Sequence, residues 1–227
     1  MRSSVLVESG GTTIVVDTTP EFRLQALRAS IMHLDAVLLT HAHADHIHGL
    51  DDIRPFSYNA PVPLYGNRKT LLETRERFPY IFENVSHGGG RPRIELHEVN
   101  DAPFSVGDIE CTPIDVLHGR MPILGYRFGS FAYITDCSTM PAKTVAALSG
   151  LEVLVINALR YEPHPTHLSV DEALRIITDL GPRRAFLTHL CHDVEHQQLS
   201  GDLEERLARG ELGVPVQPAY DGLTVEL

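Results

Sequence analysis

Apolar and polar positions along this chain switch repeatedly between the spacing of strands and that of helices. Ser4–Ser9 and Thr12–Val16 are β-rich runs joined by Gly10-Gly11, a pair suited to a two-residue hairpin turn. Asp17 ends the second run. Thr18-Thr19-Pro20-Glu21 then reads as a helix start with proline in the first turn, and Phe22, Leu24, Leu27 and Ile31 are its expected apolar face. Ala36–Thr40 is a short apolar run of the kind found in strands buried on both faces. Val62–Tyr65 predicts a strand and Lys69–Phe78 a helix, whereas Phe82 to Pro92, with Gly88-Gly89-Gly90, predicts a mobile loop.

The second half continues the mixture. Ile94–Glu98, Ile109–Val116, Leu124–Phe128 and Phe131–Thr135 are strand-like, Pro141–Leu148 helical, and Val153–Asn157 strand-like again. Ser169–Leu180 is the best-signalled helix: Ser169 can cap it, Glu172 follows three residues on, and Gly181-Pro182 stops it. Ala185–Thr188 predicts another buried strand and Gly222–Leu227 a last one. No internal repeat, low-complexity segment or linker interrupts the pattern. It implies a layered sheet with helices outside, in one α/β domain spanning residues 1–227.

Composition narrows the partners. The chain has 227 residues, 43% of them hydrophobic and 22% charged, enough to bury a core without disulfide or metal staples. No apolar run approaches the roughly 18 residues of a membrane span, and Glu8 interrupts the short apolar stretch at the start. The expectation is a soluble, cytoplasmic protein with no membrane partner. Cys111, Cys137 and Cys191 are odd in number and far apart, and read as small buried hydrophobes. A net charge of −11 repels DNA and disfavours RNA, so a small substrate is expected. A homodimer is left open.

Chemistry concentrates just after the Ala36–Thr40 run. His41, His43, Asp45 and His46 fall within six residues, and neutral imidazole and carboxylate are the usual ligands of zinc and related divalent ions. Residues at i and i+2 of an extended turn can address one ion. The adjacent Asp45 and His46 can face a second. A solvated histidine-rich loop is the plainer alternative, but an idle loop has no need to follow an apolar strand.

The segment Thr40-His41-Ala42-His43-Ala44-Asp45-His46-Ile47-His48-Gly49-Leu50 resembles the HxHxDH-xxG signature of the metallo-β-lactamase superfamily. Its other elements appear in order: Asp17 after an early strand, His118 at mid-chain, Asp136 after Tyr133-Ile134-Thr135, and His189 after Phe186-Leu187-Thr188. The resemblance implies an αβ/βα sandwich, two β-sheets face to face with helices outside and ligands on loops at one sheet edge. It implies a first ion held by His41, His43 and His118, a second by Asp45, His46 and His189, and Asp136 bridging them. The cofactors would be two divalent ions, Zn2+ or Mn2+, sharing an activated water. Asp17 would steady the first loop by hydrogen bonds, or be an ordinary turn aspartate.

An aspartate at the bridging position is similar to phosphodiesterases, lactonases and glyoxalase II, where many true β-lactamases place a cysteine. Val155-Ile156-Asn157-Ala158-Leu159-Arg160, His164-Pro165-Thr166-His167-Leu168-Ser169, Thr188-His189-Leu190-Cys191-His192 and Ala219-Tyr220-Asp221-Gly222 resemble the phosphoribosyl 1,2-cyclic phosphate phosphodiesterase branch. That branch implies that His167, before a helix, acts at the substrate. His167 and Asp45 are therefore the catalytic candidates, and Arg160 and His164 the substrate-binding ones, Arg160 because a guanidinium can pair two phosphate oxygens.

One departure stands out. Branch members begin with an extra strand, a Gly-Thr-Gly-Thr-Ser-like turn and cysteines that hold a structural zinc. This chain begins inside the following strand and has only the late His192 of that set, so either its start is truncated or its branch has lost the structural zinc site. His48 reads as a wall residue, and His33, His87, His97 and His196 as surface residues. The function expected is hydrolysis of small phosphodiesters, cyclic ribose phosphates included. A lactonase or glyoxalase II-like thioesterase, and a non-catalytic metal-binding or RNA-associated module, are the alternatives.

Overall fold

The structure, a computed structural model, describes residues 1–83 and 90–227. His87, Gly88 and Gly89 of the expected glycine loop lie outside the described residues. The chain divides into two compact units, Met1–Cys111 and Thr112–Leu227.

In the first unit, β1 (Val5–Ser9) and β2 (Thr12–Val16) form the expected hairpin, followed by α1 (Phe22–Arg28), β3 (Ala36–Leu38) and the short helix α2 (Ala44–Ile47). A 3-10 segment (Leu50–Ser57), β4 (Val62–Gly66), α3 (Arg68–Arg77), α4 (Pro79–Phe82), β5 (Ile94–Glu98) and β6 (Phe104–Val106) complete it. The sheet runs β1-β2-β3-β4-β5, antiparallel only at the hairpin and parallel elsewhere. Val15, Val37, Leu64 and Leu96 pair in one row across four strands and pack with Phe22, Ile47, Leu50 and Ile53. Every residue of β2 and β3 is buried, which is why those runs carry no polar alternation.

One expectation for this unit fails. Leu24 is 53% exposed and Leu27 66% exposed, and α1 buries Phe22 and Ala26 instead. In a seven-residue helix the spacing i, i+4 of Phe22 and Ala26 defines a face as well as the leucines do, and Ala26 is the smaller signal.

The second unit contains β7 (Ile109–His118, entering from the first unit), β8 (Met121–Phe128), β9 (Phe131–Ile134), α5 (Ala142–Ala147) and β10 (Val153–Asn157). It continues with α6 (Val170–Leu180), β11 (Arg184–Thr188), α7 (His196–Ala208) and β12 (Val216–Pro218). Its strands lie in the order β12-β11-β10-β9-β8-β7, parallel from β9 to β12 and antiparallel from β7 to β9. Ile134, Ile156 and Leu187 pair in register. They pack with Ala173, Leu174 and Ile177 of α6 and with Leu199 and Leu203 of α7. Ser169 and Glu172 close the expected capping box, and Gly181 ends α6 in the left-handed conformation at φ 58°.

The strand expected at Gly222–Leu227 is absent, and the last strand is β12, three residues long. The last ladder bond to β11 comes from the Ala219 N–H to the Leu187 carbonyl at 2.8 Å, and the residues beyond it form no strand among the described residues. The helix α7 went unpredicted because it buries only Leu199 and Leu203 and carries Gly201 in its interior.

Candidate metal-binding clusters

In both units the polar cluster sits where strands end at their C-termini, the usual ligand edge of parallel sheets. In the first unit, Asp17 follows β2 and Thr40-His41 follows β3. Asp17 is fully buried, and burial pushes its carboxyl above the usual range while His46 and Thr40 act to hold it down. Its Oδ1 accepts from the Thr40 N–H at 2.8 Å, and its Oδ2 accepts from the Thr40 hydroxyl and from His46 Nδ1, each at 2.8 Å.

These bonds assign protons. The Thr40 hydroxyl gives its hydrogen to Asp17, so its oxygen accepts from His41 Nδ1 at 3.0 Å. His41 and His46 therefore both carry hydrogen on Nδ1 and present an Nε2 lone pair. One carboxylate sets two imidazole tautomers. The rings crowd together, His41 with its centroid 4.5 Å from that of His43 and 4.2 Å from that of His46. His46 Nε2 lies 3.3 Å from Asp45 Oδ2.

The motif's glycine has a steric cause. A Cβ on Gly49 would lie 2.0 Å from the Thr19 carbonyl oxygen and 2.7 Å from Phe22 Cβ. Only a bare backbone lets the end of α2 lie against the β2–α1 turn, where Gly49 N–H also bonds the Thr18 carbonyl at 2.9 Å.

In the second unit His118 ends β7, Asp136 follows β9 and His189 follows β11. His118 Nδ1 is 2.7 Å from the Thr166 carbonyl oxygen, which can only accept, so Nδ1 carries the hydrogen and Nε2 the lone pair. Asp136, 2% exposed, meets His167 Nε2 at 3.1 Å through Oδ2 and His189 Nε2 at 3.2 Å through Oδ1. The His167 ring stacks on His189 at 5.1 Å and meets His118 edge-on at 4.6 Å. Asn157, buried at the end of β10, clamps the next residue: its Oδ1 accepts from Cys137 N–H at 2.8 Å and its Nδ2 donates to the Cys137 carbonyl at 3.0 Å.

The donor sets fit divalent cations. The first unit contributes two imidazoles with a fixed Nε2 lone pair, His41 and His46, and the second contributes His118, each set beside at least one carboxylate, the ligand chemistry of zinc and manganese sites. The Nδ1 atoms of these three are bonded to a hydroxyl, a carboxylate and a carbonyl respectively, the support that metal-ligating histidines generally have.

The remaining sequence candidates divide. His164 joins the second cluster, its ring 5.0 Å from that of His167. Burial and the neighbouring His167, Arg160 and His118 hold it below the ordinary imidazole range. The Arg160 guanidinium donates to the carbonyls of Glu162 at 3.3 Å and Pro163 at 3.2 Å, bracing its own loop. His48 is exposed, with its ring edge-on to Phe78 at 6.0 Å. His192 is 94% exposed, 3.4 Å from Asp193. Cys111 and Cys137 are buried, which pushes both thiols up to about 12, while Cys191 is half-buried and donates to Asp193.

Thr40, Thr166 and Asn157 gained no role from the sequence, though all three lie inside the quoted motifs. Their adjacency to histidines and to a strand end was the available signal. What each bonds depends on strand register.

Comparisons with known proteins follow the same lines. Residues 12–190 match the model of the beta-lactamase superfamily domain. A crystal structure of a diphosphatase from the PhnP family is 39% identical, covering 100% of this chain and 84% of that one, with a TM-score of 0.89. An octanoyltransferase from Porphyromonas gingivalis is 39% identical over 97% of this chain, but the chain spans only 44% of that protein's length. The anti-Pycsar protein of a Bacillus phage is 27% identical, over 86% of this chain and 84% of its own. Two mixed sheets with outer helices are the metallo-β-lactamase αβ/βα fold, and no helix among the described residues is long and apolar enough to cross a membrane. The chain belongs to the metallo-β-lactamase superfamily and to its PhnP-like branch.

Proposed function

We propose that this hydrolase is a phosphodiesterase acting on small phosphodiesters, with a cyclic ribose phosphate or a disubstituted diphosphate within its range. The observation that carries the reading is His167 Nε2 at 3.1 Å from Asp136 Oδ2. It is a titratable imidazole touching the carboxylate expected to be shared by two ions. The ligand set this reading carries over from the family is His41, His43, Asp45 and His46 in the first unit and His118, Asp136 and His189 in the second, which would hold divalent ions. When bound, such ions supply Lewis acidity at a phosphoryl oxygen and make water a nucleophile near neutral pH. Asp17, Thr40 and the Thr166 carbonyl keep the imidazole lone pairs aimed outward. His167 delivers a proton to the departing alkoxide, a task worth typically about 10²–10⁴-fold in rate. The diphosphatase relative supports P–O cleavage, since each phosphorus of a disubstituted diphosphate bears one negative charge, as in a phosphodiester.

A second reading, hydrolysis of a carbon ester or thioester, is favoured by the match to the octanoyltransferase, although that protein is more than twice as long as this chain. A turnover panel of bis-p-nitrophenyl phosphate, an alkyl phosphodiester, a lactone and a glutathione thioester separates the two. We expect both phosphodiesters to be the better substrates. His167→Ala should keep its metal and lose roughly 10²-fold or more on the alkyl phosphodiester, with a smaller loss on bis-p-nitrophenyl phosphate, whose leaving group needs little protonation. Faster turnover of the lactone or thioester would sink the phosphodiesterase reading.

A further inference from the structure

The helix α2 carries more than metal donors. His48 continues it in helical conformation, at φ −73° and ψ −3°, with its N–H bonded to the Ala44 carbonyl at 3.1 Å. It stands three residues after Asp45, a spacing that puts both side chains on one helix face. The Asp45 side chain is 37% exposed and His48 is exposed, so that face is open to solvent. A run of rings starts at His48. Its imidazole meets Phe78 edge-on at 6.0 Å, and Phe78 meets Tyr80 edge-on at 6.5 Å. Phe78 is half-buried against the core of the first unit, whereas Tyr80 is exposed.

Tyr80 is exposed but held. Its hydroxyl donates to Asp51 Oδ1 at 2.8 Å, and its carbonyl accepts from the Arg91 guanidinium at 2.9 Å. Burial of the hydroxyl, with Asp51 and Asp52 beside it, pushes it up to about 12, so it stays a donor near neutral pH. A ring fixed at both ends loses little freedom when another ring lies against it. Asp51 and Asp52 also set the charge at this end, where a second phosphate would be repelled and a neutral ring would not. Aromatic faces with polar tips suit a flat heteroaromatic group better than an acyl chain.

We propose that His48, Phe78 and Tyr80 form a stacking ledge for a nucleobase on the substrate, so that phosphodiesters carrying a base are preferred to those of bare sugars or alcohols. This rests on the phosphodiesterase reading, which puts the phosphate at the metal donors. Asp45 then marks the phosphate end of the open face of α2, and His48 the base end. The metal motif leaves the His48 position open, so its imidazole is available for a task of substrate choice. The ledge touches no reacting atom. It holds the base equally in the bound substrate and in the transition state, and its contribution is to binding.

The test compares the metal-reconstituted wild type with His48→Ala, Tyr80→Leu and Tyr80→Phe on two substrates. One is adenosine 2′,3′-cyclic phosphate, and the other is ethylene glycol cyclic phosphate, which lacks the base. The quantity read is the ratio of their kcat/KM values, in which any general damage to the metal site cancels. Losing one stacking partner of a base changes affinity about tenfold or more, so His48→Ala and Tyr80→Leu should each lower the ratio by about that factor, through KM for the nucleotide. Tyr80→Phe keeps the ring and loses only the Asp51 bond, so its ratio should fall by less than about threefold. Calorimetric titration with adenosine 5′-monophosphate gives a second readout, and the first two variants should bind it about tenfold more weakly. A ratio within about twofold of the wild type in both His48→Ala and Tyr80→Leu would overturn the proposal, as would nucleotide affinity equal to that of the wild type. If the wild type cleaved neither cyclic phosphate, the phosphodiesterase reading would fall while the titration still judged the ledge. Should Tyr80→Leu not fold, the exposed His48→Ala carries both measurements.

Discussion

The two units orient their imidazoles by opposite means. In the first, a buried side-chain carboxylate, Asp17, receives three donors and reaches His46 directly and His41 through Thr40. In the second, His118 is oriented by the Thr166 main-chain carbonyl, and the backbone after Asp136 is clamped by Asn157. A carboxylate acceptor is strong because it is charged, but it depends on one side chain and bears the cost of burial. A main-chain acceptor survives any substitution that leaves the backbone in place. The first unit should therefore be fragile to single mutations where the second is tolerant.

The largest expected effect breaks the first unit at its hub. Asp17→Ala leaves the Thr40 N–H and the His46 Nδ1–H buried without an acceptor. It should cost about 3–5 kcal/mol at roughly 1–3 kcal/mol per orphaned group, more where charge is involved. Metal affinity should fall about 10–100-fold. Thr166→Ala keeps the carbonyl that His118 uses and should cost less than about 1 kcal/mol. Urea unfolding and a chelator competition titration measure both, and equal losses in the two variants would dissolve the contrast.

A middle-sized effect probes the side-chain clamp in the second unit. Asn157→Leu removes both of its bonds to Cys137, but the Cys137 carbonyl also accepts from Leu168 N–H at 2.8 Å. Only the Cys137 N–H is orphaned, so the expected cost is about 1–3 kcal/mol, below that of Asp17→Ala. A larger cost would show that the second unit hangs on a side chain as firmly as the first.

The smallest effect concerns the start of α6, just after His167. Glu172 accepts from the Ser169 backbone N–H and hydroxyl, both at 2.8 Å, and these bonds hold its carboxyl below the usual glutamate range. A folded value below the unfolded one gives stability that is complete above the unfolded value and lost as pH falls through the folded one. The stability gap between wild type and Glu172→Gln should therefore be constant near neutral pH and close below about pH 4, reading the unfolded carboxyl at about 4.3. Urea midpoints at several pH values check this, and a gap that widened in acid would reverse the assignment.

What the sequence made legible follows the same division. The first unit's donors stand within six consecutive residues after an apolar strand, so ligand type and spacing announced them. Asp17 was found by its order in the motif, but its reach to Thr40 depends on β2 and β3 pairing in parallel with Val16 opposite Leu38. Spacing along the chain does not encode that register. In the second unit, Asp136 and His189 are single residues at separate strand ends, found only through a family resemblance. The Arg160 guanidinium suits a phosphate by its chemistry, and only the loop geometry shows it on the Glu162 and Pro163 carbonyls. The exposed Leu24 and Leu27, and the unpredicted α7 with Gly201 inside it, mark where periodicity alone was too thin.

Asp17, Asp136 and His189 share one backbone feature, each with a positive φ, at 63°, 52° and 57°. Side-chain-bearing residues hold that conformation at a cost on the order of 1 kcal/mol or more, which glycine avoids. At His189, glycine would leave the backbone at ease while removing a proposed metal donor, whereas at Asp136 it would also take away the acceptor that the Thr135 hydroxyl, His167 and His189 share. A laboratory selection for heat resistance in metal-free protein should thus enrich glycine at His189 and not at Asp136, and recover sturdy proteins with weakened metal binding. Retention of His189 through such a campaign would have to be enforced by a screen for metal binding or catalysis.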